Sequence, residues 1–262
     1  GGQSVPNFDY SMAKGVDKTY HKEFYGALAD FFRITKAMPY DDVKQMVDAV
    51  RHHIDRRVTV DSVDAVRDEI AAFLPEHQKE NGFEQIIPEE IDDALAYAKE
   101  TAWRETDKAT FQAMEALVHN LNTMNSRAGA QVPFSSLNYG TDVSEQGRMV
   151  IRNLLLATEE GLGDGETPIF PIQIFKVKEG VNYNEEDPNY DLFKLSMRVS
   201  AKRLFPNFSF LDAPFNLQYY KKGDYNSEVA YMGCRTRVMN NSYDPDRSVT
   251  CGRGNLSFTS IN

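Results

Sequence analysis

The chain has 262 residues, 41% of them hydrophobic and 26% charged, with a formal net charge of −10. That length allows one large domain or two small ones with a real core, and 11% aromatic residues exclude a disordered tail. The balance of 29 Lys and Arg against 39 Asp and Glu argues against general affinity for nucleic-acid backbones, and no apolar run is long enough to span a membrane.

Residues 1–16, with Pro6 and Gly15, read as a loop or a short extended lead-in. From Asp17 to about Met38 the residues Tyr20, Phe24, Ala27, Leu28, Phe31 and Phe32 recur at helical spacing, and Pro39 ends that helix. Tyr40 to Ile54 repeats the pattern through Val43, Met46, Val47 and Val50. Asp61 or Ser62 then caps a third helix that carries Val63, Val66, Ile70 and Phe73 and is stopped by Pro75. The polar stretch His77 to Ile87, with Asn81-Gly82, reads as a loop. Pro88 opens a long helix through Ile91, Leu95, Ala98, Ala102, Phe111, Met114, Leu117, Val118 and Leu121, reaching about Asn125. A helix of that length packs along a neighbour, within the chain or across a dimer.

The second half alternates. Ala130–Asn138 and Pro168–Lys178 read as strands, separated by a helix from a Ser144 cap to about Leu162. A further helix, Asp191–Phe205, precedes the strand Phe208–Leu211, and Val229–Val238 and Asn255–Ile261 are extended. This order predicts an α/β fold built on parallel crossover units, with a helical part over 1–125 and the α/β part over 126–262. No signal peptide opens the chain, and Cys234 and Cys251 cannot form a secreted disulfide framework, so an acidic cytoplasmic protein is expected. The chain begins without Met and ends inside a strand-like run, which reads as part of a longer protein.

Cys234 is the most suggestive residue, lying in Tyr231-Met232-Gly233-Cys234-Arg235-Thr236-Arg237. Gly233 permits unusual backbone angles, and Arg235 and Arg237 flank the thiol with positive charge, which suits a reactive tip. A small buried residue in a strand fits the same spacing. Cys251 reads as an incidental thiol in a turn. His52 and His53 are adjacent and would point about 100° apart on a helix. His21, His77 and His119 are isolated, so no metal site is expected in this chain. Gly161-Leu162-Gly163-Asp164-Gly165 follows a helix and precedes a strand, the wrong order for a phosphate loop, and reads as helix termination. Arg127 suits either a phosphate contact or the end of the long helix.

Several runs together carry a specific resemblance. They are Gly1-Gly2-Gln3-Ser4-Val5-Pro6-Asn7-Phe8-Asp9, Ser126-Arg127-Ala128-Gly129-Ala130-Gln131-Val132-Pro133-Phe134-Ser135-Ser136, Gly165-Glu166-Thr167-Pro168-Ile169-Phe170-Pro171, Lys202-Arg203-Leu204-Phe205-Pro206-Asn207-Phe208, Tyr231-Met232-Gly233-Cys234-Arg235-Thr236, and Gly252-Arg253-Gly254-Asn255-Leu256-Ser257-Phe258-Thr259-Ser260-Ile261-Asn262. They resemble the anaerobic, class III, ribonucleoside-triphosphate reductases, which are glycyl radical enzymes. The resemblance implies a ten-stranded α/β barrel of two parallel five-stranded halves, with a central finger loop at about 229–238.

By that resemblance Cys234 is the thiyl radical site that takes the ribose 3′ hydrogen, after which the 2′ hydroxyl leaves as water. Met232 falls beside the ribose and the formate reductant, and Asn262 takes the polar role next to the ribose. Ser126, Arg127, Gln131, Ser135 and Ser136 line the nucleotide cleft. A homodimer interface holding a deoxynucleotide effector maps to helices 17–38 and 88–125, with Gln3 and Lys36 as effector contacts. The partners implied are ribonucleoside triphosphates, ATP and deoxynucleotide effectors, and an S-adenosylmethionine iron–sulfur activating enzyme.

The resemblance also marks what this chain lacks. The ATP-binding regulatory domain and the second active-site cysteine belong upstream, and the four-cysteine zinc site and the glycine that stores the radical belong downstream. The chain alone is therefore expected to be inactive. Residues 50–87 match no motif of the family and read as an insertion. Two alternatives stand beside this reading: a non-catalytic effector-binding and dimerisation module, and another glycyl radical enzyme such as a formate-lyase. The Met232-Gly233-Cys234-Arg235-Thr236 run speaks against the latter.

Overall fold

The computed structural model describes residues 2–81, 86–125, 129, 131–234, 236–241, 243–247 and 249–253. The expected extended piece at 255–261 lies outside these residues. In chain order the elements are β1 (Gln3–Val5), α1 (Phe8–Thr35), α2 (Tyr40–Ile54), α3 (Arg67–Asn81), α4 (Pro88–Thr123), β2 (Ser135–Tyr139), α5 (Glu145–Glu160), β3 (Ile172–Val177), α6 (Tyr190–Arg203), β4 (Asn207–Phe210), β5 (Ala230–Met232) and β6 (Thr236–Val238). Two short 3-10 turns occupy Asp64–Val66 and Tyr225–Ser227. Two compact units result, one of residues 14–109 and one of residues 1–13 with 110–262. The sequence-based division at 125/126 is drawn elsewhere than this boundary, which falls inside α4.

The 14–109 unit is all helix, and its core follows the periodicity of its sequence. Tyr20, Phe24, Leu28 and Phe32 of α1 share that core with Val43, Met46 and Val50 of α2, Ile70 and Leu74 of α3, and Ile91, Ala94, Ala98 and Ala102 of α4. Two sequence expectations are corrected here. Within residues 1–16 the extended lead-in is confined to β1 at Gln3–Val5, and α1 already starts at Phe8 rather than near Asp17. Phe8, Met12, Val16 and Tyr20 stand four residues apart, a helical stripe that Pro6 and Gly15 obscured. Pro75 does not stop α3 either, since the helix continues to Asn81. A proline inside a helix costs about 3 kcal/mol. The helix beyond it is tied down by side chains: the Asn81 side chain donates to the His77 carbonyl at 2.8 Å, and buried Gln78 accepts from the Ile86 N–H at 2.9 Å.

The other unit is α/β, as expected. β1, β2, β3 and β4 pair side by side in chain order, every pair parallel. Parallel neighbours need a crossover, which α5 supplies between β2 and β3 and α6 between β3 and β4. Side chains alternate across the strands. On one face the Tyr139 hydroxyl donates to Gln173 at 2.7 Å, and Gln173 donates to Thr158 of α5 at 2.8 Å. Ser144 caps α5 by accepting from the Gly147 N–H at 3.1 Å.

The glycine run after α5 ends that helix, as its order implied. Gly161 sits at φ +87°, and a Cβ there would lie 2.5 Å from the Glu166 carbonyl oxygen. Arg203 completes the cap from the end of α6, donating to the carbonyls of Glu159 at 2.7 Å, Glu160 at 2.8 Å and Gly165 at 2.7 Å. The Glu159 and Glu160 carbonyls are in the last turn of α5 and have no partner within it, so a cation there satisfies both hydrogen bonding and the helix dipole. Arg203→Met is therefore expected to cost about 1.5–3 kcal/mol, read as a lower urea midpoint with unchanged slope. A midpoint unchanged within error would show that water replaces the guanidinium without loss.

Candidate active site

Cys234 lies at the turn of a hairpin that stands apart from the four-stranded sheet. β5 and β6 pair antiparallel, Ala230 with Val238 and Met232 with Thr236. The turn depends on Gly233, whose φ is +69° and whose missing Cβ leaves room for the Phe134 ring, 3.2 Å from where that Cβ would be. The Cys234 thiol is exposed and free, as is that of Cys251. Met232 is buried at the end of β5. Arg235 lies outside the described residues. Arg237 packs its guanidinium over the Phe215 ring, 5.0 Å from the centroid, so this charge is directed to an aromatic ring.

Among the described residues no backbone ladder joins the hairpin to the sheet, and side chains hold it. Asn138, fully buried on β2, accepts from the Tyr231 N–H at 2.7 Å and donates to the Tyr231 carbonyl at 2.9 Å. Ser4 of β1 donates to the same carbonyl at 2.7 Å. Ser136 of β2 accepts from the Gly233 N–H at 3.1 Å, one residue before the thiol.

A charged cluster fixes the other end of β5. The buried Glu228 carboxylate meets Lys176 at 3.3 Å, Lys178 at 2.9 Å and the Thr141 hydroxyl at 3.1 Å. Lys176 also donates to Asn7 at 2.7 Å, and Lys178 to the Tyr220 hydroxyl at 2.8 Å. Burial alone would lower the pKa of Lys178, but Glu228 and Tyr220 outweigh it and hold the amine above the ordinary lysine value. Beneath them Asp9 accepts from the N–H groups of Gly140, Thr141 and Asp142 at 2.8, 3.1 and 3.1 Å. Burial pushes its carboxyl above the usual range, against the pull of Lys176 and those backbone donors. A cavity of about 300 Å³ opens beside the cluster, lined by Tyr10, Thr141, Lys178, Tyr220, Tyr225 and Glu228.

The two anchorages set a direction. Glu228 sits at the carboxyl ends of β2 and β3, whereas Gly233 meets Ser136 and Phe134 at the amino end of β2. The hairpin thus runs back along β2 and delivers Cys234 to the amino ends of the strands.

Of the residues expected to line a nucleotide cleft, Ser136 is beside the finger hairpin. Ser135 is buried, its hydroxyl has no hydrogen-bond partner among the described residues, and strand alternation turns it to the opposite face from Ser136. Gln131 is exposed. Ser126, Arg127 and Asn262 lie outside the described residues. Gln3 is an exposed residue of β1 whose N–H donates to the Phe134 carbonyl at 2.9 Å. Lys36, in the 14–109 unit, is ion-paired with Glu90 at 2.6 Å, and this bond holds the Glu90 carboxyl below its ordinary pKa. Among the described residues no three His, Cys, Asp or Glu side chains form a group that could hold a metal ion. No helix of these residues is long and apolar enough to cross a membrane.

Sequence reasoning missed Ser4, Asn138, Lys176, Lys178 and Glu228. The signal was present as polar residues in strands that ought to be apolar: Ser136 and Asn138 alternate with Leu137 and Tyr139, and Lys176 interrupts Ile172–Val177. Removing one partner of a buried ion cluster strands the others, at a cost of about 3–5 kcal/mol. Glu228→Gln is expected to lose about that much in urea unfolding at neutral pH. A loss below about 1 kcal/mol would mean that the two lysines are solvated without it.

The sequence profile of the family "Anaerobic ribonucleoside-triphosphate reductase" matches residues 1–262. The chain is 33% identical over 174 residues to the anaerobic ribonucleoside-triphosphate reductase of Enterobacteria phage T4, covering 66% of this chain and 27% of that protein. It is 29% identical over 219 residues to the Haemophilus influenzae protein of the same name, covering 83% of this chain and 29% of the relative. For the Escherichia coli K12 protein of that name the identity is 26% over 219 residues, covering 83% of this chain and 28% of the relative. The chain thus spans under a third of the length of these relatives. The match over its whole length, in order, places it plainly: the chain belongs to the anaerobic ribonucleoside-triphosphate reductase family.

Proposed function

We propose that this chain is the central catalytic segment of an enzyme that reduces ribonucleoside triphosphates to deoxyribonucleoside triphosphates, with Cys234 as its hydrogen-transferring thiol and formate as reductant. The observation that carries the reading is the placement of Cys234, at the turn of a hairpin bonded through Asn138 and Ser136 to the sheet. Family membership supports the reaction class. The four parallel strands support a ten-stranded barrel completed by strands from outside this chain, because β1 and β4 are each paired on one side only among the described residues.

Hydrogen-atom transfer requires a sulfur held at a fixed distance from the reacting carbon. The glycyl radical of the family, carried on a segment outside this chain, supplies a hydrogen-atom acceptor for a thiol. The exposed Cys234 turn fits such an approach, with buried Met232 and the Phe134 ring as its apolar surroundings. Cys234 gives up its S–H hydrogen atom, takes the 3′ hydrogen from the ribose, and returns a hydrogen to C3′ at the end of turnover. In between, the 2′ hydroxyl leaves as water, and formate provides the two electrons as it is oxidised to carbon dioxide. Met232 borders the reductant side, and Asn262 supplies an amide that can donate and accept beside the ribose. Arg127, with Ser126, Gln131 and Ser136, belongs to the nucleotide cleft, and Ser135, turned to the opposite face of β2, is left out of it.

A homodimer, ATP and deoxynucleotide effectors, and an S-adenosylmethionine iron–sulfur activating enzyme complete the proposal. Gln3 and Lys36 stand as effector contacts, and a phosphate at Lys36 would compete with Glu90 for the ammonium. In the full-length enzyme, Cys234→Ser is expected to bind ribonucleotide with affinity unchanged within about threefold. Its deoxynucleotide product should fall below detection. Continued product formation by that variant would overturn the assignment.

A further inference from the structure

We infer that Asn138 is a positioning residue for the Cys234 thiol, setting how far the hairpin reaches along β2. The inference rests on the reading of Cys234 given above and assigns a role to a residue outside those given to the nucleotide cleft.

The carboxamide of Asn138 pairs with both the N–H and the C=O of a single residue, Tyr231, as another strand's backbone would. One hydrogen bond lets a strand swing, whereas two to the same residue fix both its position along β2 and its rotation about its own axis. Three residues further on lies Cys234. The same amide also donates to the Val5 carbonyl at 3.2 Å and the Ser4 hydroxyl at 3.3 Å, so it is tied to β1 as well. Ser4 in turn donates to the Tyr231 carbonyl, and Ser136 fixes the Gly233 N–H. A slip by one residue would turn Tyr231 toward the other side and move the thiol by about 3.3 Å. Glu228 anchors only the start of β5, and the β5–β6 pairing moves with the hairpin.

The side chain must both accept and donate. Asp at 138 has nearly the same shape but faces the Tyr231 carbonyl with a second acceptor, and Ala offers neither bond. A 1 Å misplacement of a reacting group can cost about 100-fold in rate.

The test compares Asn138→Ala and Asn138→Asp with wild type in full-length activated reductase, with Ser4→Ala as the milder variant. Each is followed by kcat and KM for the ribonucleotide, by thermal midpoint, and by amide hydrogen exchange of residues 229–234. The expected result for the Asn138 variants is kcat lower by about 100-fold with KM within about threefold. Exchange at Tyr231 should be at least about tenfold faster, with protection elsewhere unchanged. If an Asn138 variant fails to fold, Ser4→Ala carries the test, because it removes the second donor to the Tyr231 carbonyl, with a smaller fall in kcat and faster exchange confined to the hairpin. Wild-type kcat in the variants while Cys234→Ser is inactive would overturn the positioning role and leave the Cys234 assignment standing. A fall in kcat only in proportion to lost folded enzyme, with exchange faster throughout the chain, would reduce Asn138 to a structural residue and equally overturn the inference. An active Cys234→Ser would instead sink the underlying assignment, whatever Asn138 does.

Discussion

Asn138, itself fully buried, presents a carboxamide to the backbone of half-buried Tyr231, accepting from its N–H and donating to its C=O. Such a pairing is unforgiving, because either partner alone would leave a desolvated polar group unsatisfied. Several features of the α/β unit, residues 1–13 with 110–262, converge on this contact. The parallel sheet puts Ser136 and Asn138 on one face, the alternation of β2 keeps Leu137 and Tyr139 on the other, and Gly233 admits the Phe134 ring at the turn. At the far end of β5, Glu228 is held by two lysines and a threonine, so the strand is secured at both ends before it turns at Cys234.

The two anchorages differ in kind, and the difference suits their places. Glu228, Lys176 and Lys178 form a charged cluster at the carboxyl ends of the strands, where burial makes any imbalance costly and therefore fixes the geometry. Among the described residues, the hydrogen bonds that hold the hairpin near the thiol come from neutral amides and hydroxyls. Arg237, which the sequence sets three residues after the thiol, is turned onto Phe215.

How much of this could be read from the sequence differs by element. The helices of the 14–109 unit announce themselves through Tyr20, Phe24, Leu28 and Phe32, because apolar residues at that spacing line one side of a helix and are buried together. The alternation of strands and helices after residue 130 points as directly to a parallel sheet, since parallel neighbours need a crossover between them. Pro75 misled because a proline inside a helix is judged by its local cost, whereas the buried Leu74 and Gln78 around it are tertiary facts. The start of α1 at Phe8 was hidden by neighbouring Pro6 and Gly15. Cys234 was visible through its motif, but its clamp was not. Ser4, Asn138 and Tyr231 are far apart in sequence, and nothing in a single chain of letters shows that they meet.

Hydrogen transfer through Cys234 requires the ribose to lie beside that thiol, at the amino ends of the strands. The most direct measurement is a structure of the full-length enzyme with a ribonucleoside triphosphate bound. Ribose C3′ is expected in van der Waals contact with the Cys234 sulfur, within about 4 Å, on the Ser136 side of the hairpin. A ribose seated instead at the carboxyl ends of β2 and β3, against Lys178 and Tyr220, would contradict the role given to Cys234.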